Sequence, residues 1–224
     1  MSNFNKAVKK VLLHEGGYVD HPFDTGGATN WGITQGTYES YVGRKVTKDE
    51  IRNMPKGNAI QIYKELYWDK VAGDKIISYP ISFIIFDQAV NRGVNTAIKQ
   101  AQRVLGLPQT GFINNMTINA LNNADEGSFV DDYLEESEEA YKKIVARNPT
   151  QEVFLAGWLK RVRSLRDYAD RNMTSGGGFS LPFTTDLSNI DWGKTAMLGT
   201  AVTVGGLIVY ILATKALEPR KAFA

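Results

Sequence analysis

The sequence predicts a mainly α-helical protein with a small β-hairpin or turn region near its N-terminus and a hydrophobic helix near its C-terminus. Three observations support this fold class. Apolar residues recur with the spacing of amphipathic helices over most of residues 1–173. Residues 16–43 interrupt that pattern with glycine, aspartate and asparagine, which favour turns. Residues 195–214 carry no charge, and a run of that length suits a membrane-spanning helix.

The N-terminal helix shows the amphipathic pattern clearly. Lysines separate its apolar residues, and Gly16 and Gly17 follow as helix stops. Because no uninterrupted apolar stretch is present there, we do not expect the N-terminus to be a secretory signal. The apolar face of this helix comprises Phe4, Ala7, Val8, Val11 and Leu12.

Local signals predict the remaining helices in chain order. Residues 47–50 form a capping-box pattern that opens a short helix ending before Pro55. Apolar spacing predicts a helix within 56–69, and Pro80 fits the first turn of a helix that reaches Ala89. Later helices are predicted at about 95–105, 116–122 and 128–146, followed by a long helix capped by Thr150.

Composition excludes several classes of protein and site. The 26 basic and 24 acidic residues give a net charge of +2, which argues against nucleic acid as a partner. The absence of cysteine excludes disulfides, thiol nucleophiles and thiolate metal sites. The two histidines lack the spacing of a metal motif, and no phosphate-binding loop is present. We therefore expect neither a metal nor another cofactor.

The residues best suited to catalysis lie within 13–34. Glu15 falls in the last turn predicted for the first helix, where the helix dipole and burial in a cleft would both raise the pKa of its carboxyl group. Asp24 lies on a glycine-rich turn, where solvent would keep it ionised. A protonated and an ionised carboxyl group form the pair that a glycosidase uses. The hydroxyl group of Thr29 could hold a water molecule between them and the substrate.

The spacing of these residues alone leaves other interpretations open. A glutamate at a helix end before two glycines is common, Asp24 also fits an Asx turn, and Thr29 also fits a strand or turn hydroxyl bonded to the backbone. Asp20 is a competing carboxylate, and Asp87 is a more distant one.

A sugar-binding surface needs flat apolar faces beside polar groups. Tyr18, Trp31 and Tyr38 lie in or beside the catalytic stretch and are candidate substrate contacts. Gln88 and Asn91 could reach a cleft from their helix, although helix capping also explains them.

Two further features are predicted to be structural. Trp68 and Trp158 have the helical spacing of core residues. The basic residues of 160–166 are predicted to form a solvated helix face. Contact with anionic wall polymers is the alternative for that face.

The order of residues in 13–34 resembles the active site of phage-type lysozymes and, more closely, that of glycoside hydrolase family 108, the muramidases with an EGGY motif. EGGY corresponds to residues 15–18, and the family pattern Asp-x-Gly-Gly-x-Thr-x-x-Gly-Ile corresponds to residues 24–33. The stretches 86–106 and 148–165 are similar to the second half of that family. The resemblance covers most of the chain up to about residue 170.

This resemblance implies a lysozyme-like fold for residues 1–173, with a peptidoglycan-binding region over about 90–172. It implies that Glu15 is the catalytic acid, that Asp24 is the base or electrostatic partner, and that Thr29 orients water. Residues 109–111 depart from the acidic turn usual in the family. The chain after residue 174 has no counterpart in the family pattern.

The implied reaction is hydrolysis of the β-1,4 bond between N-acetylmuramic acid and N-acetylglucosamine in bacterial peptidoglycan. The enzyme would be of phage origin and act at lysis or genome delivery. One alternative is a lytic transglycosylase, which would not need Asp24. The other is an inactive, lysozyme-like membrane or virion structural protein. The separation of the two carboxyl groups decides between a retaining outcome at about 5–5.5 Å and an inverting one at about 6.5–9.5 Å.

The C-terminal part is predicted to consist of a flexible linker at 174–193, a transmembrane helix at 194–215 and a basic end at 216–224. The basic end would lie in the cytoplasm and the enzyme on the peptidoglycan side. We therefore expect membrane contact through 195–214, with holin or virion proteins as further partners. The expected location is the bacterial envelope, membrane-anchored or periplasmic, or the virion before delivery. A buried strand or helix in a larger assembly is the alternative for the apolar segment.

Overall fold

The computed structural model describes residues 2–14, 17–20, 28–173, 198–204 and 207–213. Side chains are described for the first three of these ranges, apart from His14. Within these residues the chain is mostly helical, with two pairs of antiparallel strands. This confirms the predicted α-rich, lysozyme-like fold class.

The α-helices follow one another through residues 3–170 and are interrupted early by a short hairpin of β1 (Thr29–Asn30) and β2 (Ile33–Thr34). A π-helical turn at Lys64–Trp68 extends the fourth helix. The helices of the described residues are α1 (Asn3–His14), α2 (Gln35–Val42), α3 (Lys48–Arg52), α4 (Lys56–Tyr63), α5 (Tyr79–Arg92), α6 (Val94–Val104), α7 (Asn115–Asn123), α8 (Glu126–Arg147) and α9 (Glu152–Asp170).

The predicted capping box opens α3. The Thr47 hydroxyl accepts a hydrogen bond from the backbone of Glu50 at 3.2 Å, and the Glu50 carboxylate accepts one from the backbone of Thr47 at 2.8 Å. A hydrogen bond from Arg44, reinforced by the one from the Thr47 backbone, lowers the pKa of Glu50 to about 2. This prediction succeeded because the whole interaction lies within four consecutive residues.

The cap predicted for the last helix is wrong. Asn148 caps a short 3-10 turn at Pro149–Gln151, and α9 begins after it at Glu152. The Thr150 hydroxyl donates to the Asn148 side-chain oxygen at 2.7 Å instead of capping α9. Proline at the first position favours this tight turn, because its missing N–H group would be unpaired there in any case.

Helix α2 occupies part of the region 16–43 that was predicted to be turns. Thr34 caps its N-terminus by accepting from the backbone of Thr37, and Gly43 ends it with a φ of 72°. Glycine tolerates this left-handed conformation without steric cost. Because α2 buries none of its residues, no apolar stripe reveals it in the sequence.

The core is organised around α5. Twelve of its 14 residues are buried, and it packs against α1, α6, α8 and α9. The ring of the fully buried Trp68 lies 5.4 Å from that of Phe86, centroid to centroid. Trp158 is 8% exposed and stacks on Tyr141 at 5.0 Å. Both tryptophans are therefore core residues, as predicted.

The predicted hydrophobic C-terminal helix is wrong for the part of that segment that the structure describes. Residues Leu198–Val204 form strand β3 and Leu207–Ala213 form strand β4. The strands pair antiparallel, with Val204 opposite Leu207. Threonine, valine and isoleucine favour strands. The Gly-Gly pair between the strands in the sequence matches a two-residue hairpin loop.

Among the residues described, no helix combines the length and apolar character needed to cross a bilayer. The predicted linker at 174–193 and the basic end at 216–224 lie outside the described residues.

Gly73 is required because the indole ring of Trp68 lies directly over it. A Cβ atom at this position would be 2.4 Å from the ring. We expect Gly73→Ala to lower the free energy of unfolding by about 1–3 kcal/mol, since a tightly packed core does not accept added atoms without shifting.

Urea denaturation measures this loss. Gly57→Ala is the matched control, because no atom lies within 4 Å of a Cβ there. The control is expected to be neutral or stabilising by up to about 1 kcal/mol, since alanine favours helix. Equal effects of the two substitutions would contradict the steric explanation.

Candidate active site

The β1–β2 hairpin follows the Asp-Thr-Gly-Gly sequence of residues 24–27 and has a strained turn. Thr29 pairs with Thr34, and Asn30 pairs with Ile33. The two turn residues, Trp31 and Gly32, have φ angles of 52° and 74°, as a type I′ turn requires. A tryptophan rarely adopts this conformation, and the strain of about 1–2 kcal/mol must be offset by its surroundings.

Hydrogen bonds to the neighbouring helices hold the turn in place. The Trp31 carbonyl accepts from the Tyr63 hydroxyl at 3.0 Å, and the Trp31 indole donates to the Met54 carbonyl at 3.2 Å. The Asn30 amide donates to the carbonyls of Ile51 and Arg52 at 3.0 and 2.9 Å. The hairpin is therefore fixed to α3 and α4 on one side.

An isolated bridge fixes the hairpin to the EGGY segment on the other side. The backbones of Val19 and Thr29 exchange two hydrogen bonds of 2.8 Å. Asp20, the competing carboxylate in the sequence, binds Lys48 at 2.9 Å. Asp20 therefore serves as an ion-pair partner that ties this segment to α3.

Two polar atoms beside this bridge are buried without a hydrogen-bond partner among the described residues. They are the hydroxyl oxygens of Thr29 and Tyr18. Thr29 is 8% exposed. Most buried polar atoms in proteins are hydrogen-bonded, so an unpaired one needs an explanation. Both residues were predicted site residues.

The two predicted catalytic carboxylates, Glu15 and Asp24, lie outside the described residues. Helix α1 is described up to His14, which directly precedes Glu15 in the sequence. The roles of both carboxylates stay predictions. The structure therefore describes the surroundings of the site, which are residues 17–20, the hairpin and α1.

The predicted aromatic contacts differ in how far they reach the surface. Trp31 is partly exposed, and the Lys56 ammonium group lies 5.3 Å from its ring centroid. Tyr38 is also partly exposed, and its hydroxyl accepts from Asn58 at 3.2 Å. The ring of Tyr18 lies under the Arg52 guanidinium at 4.6 Å. These placements are compatible with a sugar-binding surface at Trp31 and Tyr38.

The two predicted contacts on α5 are occupied by the protein itself. The Asn91 amide donates to the backbone and side-chain oxygens of Asp87 at 2.7 and 3.1 Å. Gln88 is fully buried. Burial raises the pKa of the Tyr141 phenol, and Gln88, which lies beside its hydroxyl, offsets part of that rise. The Gln88 amide nitrogen reaches no acceptor with hydrogen-bond geometry among the described residues. Complete burial argues against direct contact between Gln88 and a polymeric substrate.

Asp87 has a structural partner that the sequence did not reveal. Its carboxylate is 1% exposed and accepts two hydrogen bonds from Arg161, at 3.1 and 2.9 Å. Arg161 was predicted to be on a solvated face of α9, and this is wrong because its guanidinium turns inward to the buried carboxylate.

Burial lowers the pKa of Lys10 on α1, and nearby Arg171 lowers it further. Asp87 and Arg161 act on the same group in opposite directions, Asp87 raising its pKa and Arg161 lowering it.

Two exposed apolar residues flank the EGGY motif and were not predicted. Leu13 is 74% exposed and Val19 is 38% exposed. Leu13 falls outside the apolar stripe of α1, and this departure from the helical pattern was the available signal. Exposed leucine and valine beside a predicted catalytic residue are suited to packing against the apolar face of a sugar ring.

A metal site and a groove elsewhere are the other candidates for a functional site. Among the described residues, no group of histidine, aspartate and glutamate side chains could hold a metal ion. An open groove of about 390 Å³ lies between residues 69–75 and 113–118, and none of the predicted site residues lines it. The structural features beside the EGGY motif therefore define the candidate site better than that groove does.

We expect Asp87→Asn to lower the free energy of unfolding by about 3 kcal/mol, because it removes the anion of a buried pair and leaves a cation behind. Thermal or urea unfolding measures the change. Asp131→Asn is the matched control. Asp131 pairs with Arg166, which lies on α9 as Arg161 does, but the Asp131 side chain is 63% exposed. An exposed pair contributes about 0–1 kcal/mol. A loss no larger at Asp87 than at Asp131 would contradict the buried-pair assignment.

The comparisons with known proteins agree with the resemblance seen in the sequence. The profile of the Glycosyl hydrolase 108 family matches residues 8–93, and that of the Predicted Peptidoglycan domain matches residues 96–163. The solved structure titled "Structure of Brucella abortus SagA" is 37% identical, with a TM-score of 0.68. The match covers 75% of this chain and 94% of that chain. The comparison with curated proteins returned no match.

The solved relative is matched over nearly its whole length, and the two profiles follow each other along the chain. The chain therefore belongs to the glycosyl hydrolase 108 family and is a glycoside hydrolase that acts on peptidoglycan.

Proposed function

We propose that this protein is an N-acetylmuramidase that hydrolyses the β-1,4 bond between N-acetylmuramic acid and N-acetylglucosamine. The observation that carries the proposal is the buried Thr29 hydroxyl, which has no partner among the described residues and lies in the hairpin that follows the carboxylate-bearing segment. A hydroxyl group at this position can hold the water molecule that hydrolysis consumes, whereas the transglycosylase reaction consumes no water. The family membership supplies the substrate class.

Glu15 is proposed as the acid that protonates the glycosidic oxygen. It follows α1, a helix of 12 residues, in the sequence. The negative end of a helix dipole disfavours a further negative charge, so a carboxyl group there keeps its proton to higher pH. A protonated carboxyl group near neutral pH is what departure of the sugar oxygen requires.

Thr29 is proposed to orient the attacking water, and Asp24 to accept its proton or to stabilise the positive charge that develops on the sugar ring. Backbone hydrogen bonds to Val19 and the paired strand β2 hold Thr29 in a fixed position. Its hydroxyl is thus preorganised, which places the water without a further loss of freedom during the reaction.

The proposed sugar-binding surface combines Trp31 and Tyr38 with the exposed Leu13 and Val19. Trp31 is held rigid by hydrogen bonds at its carbonyl and its indole nitrogen. A rigid aromatic side chain loses little freedom on binding. The proposed setting is the bacterial envelope, where peptidoglycan lies, with a phage enzyme acting at lysis or genome delivery as the biological context.

Digestion of purified peptidoglycan by variants tests the reaction. We expect the wild type to release fragments with reducing N-acetylmuramic acid ends, identified by mass spectrometry. Glu15→Gln should lower the rate by about 100-fold or more, because general acid catalysis contributes about 10²–10⁴-fold. Asp24→Asn should lower it to a smaller extent.

Asp20→Asn is the matched control, since Asp20 is a nearby carboxylate that already binds Lys48, and it should keep most of the activity. Anhydro ends in place of reducing ends would show a lytic transglycosylase. Intact peptidoglycan with correctly folded wild-type protein would show that the chain is not an active hydrolase.

Thr29→Val separates catalysis from stability. Valine has the shape of threonine, and the lost hydroxyl has no partner among the described residues. We expect stability to be unchanged or increased, while activity falls roughly 10- to 100-fold because the water is no longer positioned.

Thr34→Val is the control on the paired strand of the same hairpin. The Thr34 hydroxyl caps α2 at 3.1 Å from the Thr37 nitrogen, so its loss should cost about 1 kcal/mol of stability. The activity of the folded Thr34 variant should stay near that of the wild type. Retained activity in Thr29→Val would contradict the role of Thr29.

A further inference from the structure

Arg92, the last residue of α5, is a buried cation held by neutral groups. It is 8% exposed. Its Nη1 atom donates to the side-chain oxygen of Gln100 and, at 3.4 Å, to that of Gln88. Its guanidinium group also lies over the ring of Tyr141, 5.3 Å from the centroid. None of these partners carries a negative charge.

The neutral partners of Arg92 are themselves fixed. The Gln100 amide donates to the Tyr133 carbonyl at 2.6 Å and to the Ser137 hydroxyl at 2.7 Å. Its oxygen is therefore aimed at Arg92 by two bonds to α8. The guanidinium group is thus held in one orientation before any ligand arrives.

Other partly buried arginines of the described region differ from Arg92 in having a carboxylate partner. Arg161 binds Asp87, and Arg166 binds Asp131. No carboxylate pairs with Arg92 among the described residues. Because moving a cation out of water is costly unless an anion compensates, an unpaired buried arginine favours binding of an anion from outside.

One edge of the guanidinium group is available for such an anion. Nε and Nη2 donate to no described residue, and neither is among the buried polar atoms without a partner. Both nitrogens therefore keep some contact with solvent. They point in nearly parallel directions, which matches the two oxygens of a carboxylate.

The position of Arg92 in the chain also fits contact with substrate. The hydrolase profile ends at residue 93 and the peptidoglycan-domain profile begins at residue 96. Gly93, with a φ of 86°, turns the chain from α5 into α6. Arg92 therefore lies where the two matched regions of the sequence meet.

We propose that Arg92 binds a free carboxylate of peptidoglycan and thereby selects this polymer over neutral glycans. This inference rests on the proposed function. The N-acetyl sugar backbone is uncharged, and the anionic groups are carboxylates of the peptide stem or, where the stem has been removed, of the lactyl group. A planar guanidinium group distinguishes such a carboxylate from an amide of the same shape.

The test compares initial rates on two forms of one substrate, native peptidoglycan and the same material with its carboxyl groups converted to amides. The wild type should prefer the native form. Arg92→Gln should lower the rate on native peptidoglycan roughly 10-fold or more, as expected for loss of a charge-assisted hydrogen bond. Its rate on the amidated form should equal that of the wild type. A third substrate, glycan stripped of its stems, shows whether the lactyl carboxylate suffices.

Arg103→Gln is the matched control, because Arg103 is half exposed and already paired with Glu136, and it should keep the wild-type preference. If Arg92→Gln does not fold, Arg92→Lys, which keeps the charge but loses the planar fork, should show a reduced preference. Equal loss on both substrates would show that Arg92 is structural only and would overturn the proposal. Equal wild-type rates on both forms would also overturn it, whereas no hydrolysis of either form would refute the proposed function itself.

Discussion

The buried ion pair between Asp87 and Arg161 is the interaction on which the arrangement of the molecule depends. Two hydrogen bonds join α5 to α9 through this pair. Helix α5 lies in the region matched by the hydrolase profile, and most of α9 lies in the region matched by the peptidoglycan-domain profile. Helix α5 also packs against α1, which precedes the EGGY motif in the sequence. The hydroxyl groups of Tyr79 and Tyr168, 3.0 Å apart, join α5 and α9 a second time.

The hairpin is built on a different principle from this interface. Its turn contains a tryptophan in the left-handed region, a conformation that costs free energy. Hydrogen bonds from Tyr63 and to Met54 offset that cost and fix the ring. A strained residue held by surrounding contacts is typical of binding and catalytic sites, where one conformation must be maintained before the ligand arrives.

The sequence predicts those features whose causes are local. The capping box of α3 lies within four residues, and the apolar periodicity of α1, α6 and α8 is continuous, so the sequence indicated all of them. Helix α2 escaped prediction because it buries no residue. The ion pair of Asp87 escaped because its partner is 74 residues away, and no local pattern reports such a distance. The C-terminal segment shows the opposite error. Its length and lack of charge suggested a helix, although its β-branched residues and Gly-Gly pair favoured strands.

The candidate site was predictable to the extent that it lies in one short stretch of sequence. Tyr18, Thr29 and Trp31 were identified from 13–34, and the structure gives each a distinct environment. Gln88 was predicted to contact substrate from a helix, and it does lie on a helix, α5, but its side chain is fully buried. The spacing of residues shows which side chains share a face of a helix. Whether that face is buried depends on which other helices cover it. The covering helix α8 is far away in the sequence.

Polar groups in this protein fall into two classes that separate structure from function. Asp87, Gln100 and Asn30 each make two or more hydrogen bonds and hold helices or strands together. The Thr29 hydroxyl is buried with no partner among the described residues, and the buried cation of Arg92 has no carboxylate partner there, although the fixed groups around both allow little movement. Leaving a buried polar group unpaired costs free energy, so the fold retains such groups only where something else offsets the cost. On the proposed function, both groups find their partners during the reaction: a solvent water at the bond to be cut for Thr29, and a carboxylate of peptidoglycan for Arg92. An enzyme that uses both would distinguish peptidoglycan from a neutral glycan.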